Sequence, residues 1–100
     1  MANTFKVLFR GAATTDSATL YTVPAGATTL VTSIVVTNAG SDDATYTIWL
    51  GGVLLANDVS VPANDSVILE VKQVMVSDTA IDALSSSTAV KWHISGLEIT

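Results

Sequence analysis

The chain has no cysteine. That excludes a disulfide framework and any thiolate metal site. Positive charge is almost as scarce, with 4 Lys and Arg against 9 Asp and Glu, a net charge of -5. Four scattered cations neutralise few phosphates, so no nucleic-acid partner is expected. No apolar run approaches the ~18 residues of a membrane-crossing helix, so no membrane partner is expected either. Met1 to Arg10 shows no apolar run behind a basic tip, and the reading is therefore no signal peptide. Glu, Lys, Arg and Gln, the usual builders of exposed helix faces, are few.

What the chain has in quantity is β-branched and hydroxyl side chains: 14 Thr, 13 Val and 10 Ser among 100 residues. Thr and Val lose χ1 freedom in helices and fit a pleated surface. With 49% hydrophobic residues there is enough apolar mass for a core. The length is that of a single domain over residues 1–100, in which residues 1–18 read as an N-terminal strand or arm.

Alternation along the chain defines about eight short strands. Asn3–Ala13 places Phe5, Val7 and Phe9 on one face and Lys6, Leu8 and Arg10 on the other. Thr19–Val23 is short. Thr28–Asn38 places Leu30, Thr32, Ile34 and Val36 on one face and Val31, Ser33, Val35 and Thr37 on the other. In Ala44–Leu50, Tyr46, Ile48 and Leu50 point in and Thr45, Thr47 and Trp49 point out. Gly51-Gly52 is a two-residue hairpin signal, and Val53–Val59 is its return strand. Ser66–Val71 turns Val67, Leu69 and Val71 to one side and Ile68 and Glu70 to the other. Val74–Val76 is a separate short apolar piece. In Ser77–Leu84, Asp78 is placed to cap one helical turn. Ala89–Thr100 carries Val90, Trp92 and Ile94 on one face, and Gly96 reads as a bulge or kink. Strands and turns at 8–12-residue spacing predict an all-β, single-domain antiparallel β-sandwich, jelly-roll or Ig-like.

One local echo stands out. Val23-Pro24-Ala25-Gly26 and Val61-Pro62-Ala63-Asn64 share three residues. Gly and Asn are the residues that best adopt a left-handed turn conformation. The reading is one turn solution used twice, with a duplicated half as the alternative.

Catalytic chemistry finds little purchase. The single histidine, His93, lies on a strand beside Trp92 and opposite the apolar face, and no Gly-x-Ser-x-Gly elbow is present. Asp42-Asp43 sits in a loop of the kind hard cations use, but the spacing matches no EF-hand. Asp78 and Asp82 fit capping and solubility better than an acid–base pair. Asn64-Asp65-Ser66 matches the glycosylation pattern, but without a signal peptide the match carries no meaning, and the turn explains it. Gly51-Gly52 lies between strands, without the Lys-Ser/Thr and helix of a phosphate loop. The expectation is a non-enzymatic protein with no cofactor and no metal.

Outward apolar residues are the stronger signal. Leu8, Val31, Val35, Trp49 and Ile68 fall on the faces expected to be exposed. A surface that apolar suits a symmetric oligomer. Phe5, Val7, Leu8, Phe9, Val31, Val35, Trp49 and Ile68 are the candidate contact residues for another subunit or a larger surface. Tryptophan is a favoured interface anchor, and Trp49 also suits a sugar-stacking platform.

Three stretches carry a resemblance: Leu20-Tyr21-Thr22-Val23-Pro24-Ala25-Gly26 through Ser33-Ile34-Val35-Val36-Thr37-Asn38; Val61-Pro62-Ala63-Asn64-Asp65-Ser66; and Val90 through Gly96-Leu97-Glu98-Ile99-Thr100. Over about residues 19–100 the chain resembles small β-rich virion proteins of tailed bacteriophages, of the capsid decoration (cement) and cyanophage type. The resemblance implies a virion component made in the host cytoplasm that binds the outer capsid through the major capsid protein and itself, as a homotrimer. It transfers no functional residues, because the shared motifs are turns and core strands. The alternatives are a tail, neck or fibre-associated protein with host-surface contact, and a carbohydrate-binding β-sandwich.

Overall fold

The computed structural model describes residues 3–12 and 14–100. Eight strands follow one another: β1 (Asn3–Ala12), β2 (Ala18–Thr22), β3 (Thr28–Asn38), β4 (Ala44–Leu50), β5 (Val53–Val61), β6 (Asp65–Met75), β7 (Ala80–Ser85) and β8 (Val90–Ile99). Residues 1, 2 and 13, part of the expected N-terminal strand or arm, lie outside the described residues.

The strands form two four-stranded sheets, β1-β8-β3-β6 and β2-β7-β4-β5, with every neighbour antiparallel. The first strand pairs with the last, the second with the seventh, the third with the sixth and the fourth with the fifth. The chain is thus one long hairpin, rolled until β3 meets β8 and β4 meets β7. That order is a jelly roll rather than an Ig-like sandwich.

The inner faces bury Val31, Ile34, Val36, Tyr46, Ile48, Ile81, Val90, Trp92 and Ile94. The Tyr46 and Trp92 rings meet edge to face at 5.4 Å across the core. Such a contact adds ~0.5–1.5 kcal/mol beyond area burial.

The repeated turn behaves as its sequence implies. Gly26 has φ 79 and Asn64 φ 57, and Val23 and Val61 are both buried. Each turn carries the chain from the β2 sheet to the β1 sheet. β3 is central and β6 an edge strand, so the echo is a shared turn and not a duplicated half. Gly51 and Gly52 both have positive φ, as a tight two-residue hairpin requires.

Three expectations fail for local reasons. The Asp78 region forms no helical cap: Asp78 has φ 67 in a turn, and β7 begins at Ala80. Val74–Val76 is no separate piece, because β6 runs unbroken to Met75. Gly96 is not the bulge. Inside-outside alternation along β8 is unbroken, and the register shifts lie in its neighbours, between Val7 and Phe9 in β1 and between Val31 and Ser33 in β3. Gly96 is glycine because a Cβ there would stand 2.4 Å from the Leu30 carbonyl oxygen.

Those two bulges reverse the side-chain phase. Leu8 becomes core at 7% exposure and Val31 at 0%. Both were expected on an outer face.

Candidate functional site

The outer face of the β1 sheet carries exposed apolar side chains at both of its edges. Cross-strand partners there share a face. Phe5 of β1 pairs with Leu97 of β8, Leu97 with Leu30 of β3, and Leu30 with Val74 of β6. An unbroken apolar row therefore crosses all four strands. Its two ends are open: Phe5 is 88% exposed and Val74 67%. Beside it, Phe5, Val7, Thr32 and Ser95 border a depression of about 330 Å³.

Farther along the same face, Arg10 pairs with His93, His93 with Val35, and Val35 with Ile68. Ile68 is 65% exposed. Lys91 lies on the same outward side of β8 as His93. The face is thus apolar at one end and mixed apolar and basic at the other.

Four of the eight sequence candidates, Phe5, Val7, Val35 and Ile68, converge here from three strands. The other four do not. Leu8 and Val31 are core, and Phe9 is half-buried against it. Trp49 lies on the outer face of the other sheet, half-buried. Leu30, Val74 and Leu97 were missed. The signal that finds them is cross-strand register, and the β3 bulge hides it from simple alternation.

A polar cluster sits behind the apolar row. Lys6 lies between Phe5 and Val7 but points the opposite way, and its Nζ donates to Glu98 Oε2 at 3.1 Å. Tyr21, from the other sheet, donates its hydroxyl to the same carboxylate. A phenol has one proton, so the 2.8 Å contact between the Tyr21 and Thr29 hydroxyls has Thr29 as donor. The Tyr21 hydrogen bond holds the Glu98 carboxyl below its ordinary value, against the opposing effect of burial and with help from Lys6. Burial, then the Glu98 hydrogen bond, push the Tyr21 hydroxyl up to about 12. The cluster ties β1 and β8 to β2 and leaves Phe5 and Val7 no choice but to face outward.

Other candidate groups stand apart. His93 is exposed on the outer β1-sheet face. Asp43 accepts the Ala63 backbone N–H at 3.0 Å and so braces a loop. Asp82 accepts the Thr19 hydroxyl at 2.6 Å, on a strand and not on a helix with Asp78. Among the described residues, no three His, Asp or Glu side chains gather in metal-binding range.

No family model matches the chain, and no curated protein matches it. Among solved structures, it is similar to the Agl-KA catalytic domain, with 14% identity and a TM-score of 0.41 over 90% of this chain and 20% of that one.

Proposed function

We propose that this chain is a non-enzymatic structural subunit of a tailed-phage virion, a decoration (cement) protein that binds the outer capsid. The observation that carries the reading is the apolar row Phe5–Leu97–Leu30–Val74 on the outer face of the β1 sheet. Water-facing apolar rows of this kind mark contact surfaces. The molecule extends 45 × 21 × 18 Å. A sheet face of that size has room for the ~800 Å² per partner of a standard interface. The resemblance of residues 19–100 to virion proteins supports the particle as the setting. Jelly rolls occur in capsid and lectin domains, which is analogy at the level of fold only.

In this reading the β1-sheet face meets the major capsid protein and neighbouring copies in a homotrimer. No bond is made or broken. A small gain per copy, repeated over the shell, stiffens it.

The test is copy number in purified particles, by quantitative mass spectrometry against the major capsid protein. Hundreds of copies in a simple ratio to the capsid subunit support decoration. A few to a few dozen place the protein in the tail or neck, and absence from particles overturns the reading.

A further inference from the structure

The outer face of the β2 sheet has a different chemistry. Thr19 of β2 pairs with Asp82 of β7, Asp82 with Trp49 of β4, and Trp49 with Leu54 of β5. This row also crosses four strands, but its centre is an indole beside a carboxylate. The Asp82 carboxylate is oriented by the Thr19 hydroxyl, and the bond between them is open to solvent. One step along β4, the Thr47 hydroxyl accepts the backbone N–H of Asp58 at 3.0 Å. Asp58 has φ 49, a left-handed conformation that disfavours every side chain except those of Asn and Asp. Its exposed carboxylate is therefore held over the strand that carries Trp49.

We propose that this face binds a neutral saccharide, with a pyranose ring stacked on Trp49 and its hydroxyls donated to Asp82 and Asp58. The C–H face of a sugar ring packs on an indole, and adjacent hydroxyls match a carboxylate acceptor. Cross-strand neighbours lie ~4.5–5.5 Å apart, the scale of one sugar ring. Two carboxylates with no cation in the row exclude anionic sugars by like-charge repulsion. The site lies on the opposite side of the sandwich from the apolar row. It does not depend on the virion reading, and both faces can be occupied at once.

The protein carries its own reporter. Trp92 is fully buried in the core, so a ligand-induced change in tryptophan emission comes from Trp49. The full chain is titrated with neutral gluco-, galacto- and manno-hexasaccharides, and with an alginate hexamer as the anionic comparison. The expected result is a saturable emission change with at least one neutral probe and none with alginate. Trp49→Ala also removes the reporter, so its binding is read by isothermal titration calorimetry, and the expected result is no saturable heat. Asp82→Asn, which keeps an acceptor for Thr19, weakens binding at least tenfold. Trp92 emission and near-ultraviolet dichroism confirm that both variants fold, and Phe5→Asp leaves sugar binding unchanged. The proposal is overturned if no neutral probe saturates, if alginate binds as well, or if Trp49→Ala binds normally. It is equally overturned if Trp49→Ala instead lowers the mass in solution, because a second copy then covers this face.

Discussion

The Tyr21 hydroxyl on β2 donates to the Glu98 carboxylate on β8, and this bond joins the two sheets. Glu98 is buried and also takes the Lys6 ammonium, so one carboxylate fixes three strands. The half-exposed lysine adds modestly, since solvent screens it. The partly buried phenol contributes more, because a charge-assisted bond partly shielded from water is stronger.

This arrangement predicts a stability profile with two limbs. The Glu98 carboxyl is depressed below its ordinary 4.5 in the folded protein. Its contribution is therefore complete above that value and lost as pH falls through the lower folded one. Tyr21 is raised from 10.0 to about 12, so its contribution is complete below 10 and lost as pH rises toward 12. Urea unfolding across pH reads both limbs. Glu98→Gln flattens the acid limb and Tyr21→Phe flattens the alkaline one. An acid limb of unchanged slope in Glu98→Gln would assign it to the other carboxylates.

Gly96 predicts a severe core defect from a single methyl group. A Cβ would stand 2.4 Å from the Leu30 carbonyl oxygen and 2.9 Å from Leu8 Cδ1. The carbonyl belongs to a central strand and cannot move away without breaking the β3–β8 ladder. Gly96→Ala should cost ~3 kcal/mol, the upper end for overpacking. A Gly96→Ala variant as stable as the parent in urea would mean that β8 slides freely against β3.

Residues that obey local rules were readable from sequence, and those governed by a neighbouring strand were not. Thr28–Asn38 and Ala44–Leu50 coincide with β3 and β4 because alternation and turn residues bound them tightly. The Pro-Ala-Gly and Pro-Ala-Asn turns follow from backbone preference alone. Leu8 and Val31 were misplaced because a bulge adds a residue without changing composition. The Gly96 constraint was invisible for a related reason, since it depends on Leu30, which is distant in sequence. Alternation marks Val35 and Ile68 as outward and offers Phe5 and Val7 only as contact residues of the N-terminal segment, and the strand order is what brings the four onto one face.

Tyr46 predicts a substitution that removes a polar group at no cost. Its hydroxyl and the Trp92 indole N–H are buried without a hydrogen-bond partner among the described residues. Burial alone pushes the Tyr46 hydroxyl above its ordinary value. A buried unpaired polar group costs ~1–3 kcal/mol. Tyr46→Phe keeps the ring and its edge-to-face contact with Trp92 while removing that penalty. Equal or greater stability in urea is expected. A loss above ~1 kcal/mol would show that the hydroxyl has found a partner in solution.

The paired turns predict matching responses to alanine at equivalent positions. Gly26 and Asn64 both hold positive φ. Nothing lies within 4 Å of a Cβ at Gly26, so the cost of Gly26→Ala is conformational and amounts to ~1 kcal/mol. Asn64→Gly relieves strain in the folded turn but frees the unfolded chain, so it should be close to neutral. Asn64→Ala should lose ~1 kcal/mol. Thermal unfolding of the three variants checks the order, and a stabilising Asn64→Ala would break the equivalence of the turns.

The contact surface is tested most cleanly at its two open ends. Phe5 is 88% exposed, and its ring contributes little to the folded monomer. Phe5→Asp should therefore leave unfolding within ~0.5 kcal/mol of the parent. The same holds for Val74→Asp, exposed at the far end of the row. Phe9→Asp is the contrasting case. Phe9 packs against the core, and a carboxylate there should destabilise the fold itself. If the row is a contact surface, Phe5→Asp and Val74→Asp reduce the mass in solution and weaken particle binding while the fold persists. Light scattering and capsid co-sedimentation read the two effects separately from stability. Unchanged mass and unchanged binding in both exposed variants would remove the row as an interface. A loss confined to Phe9→Asp would be a folding defect and would carry no information about contacts.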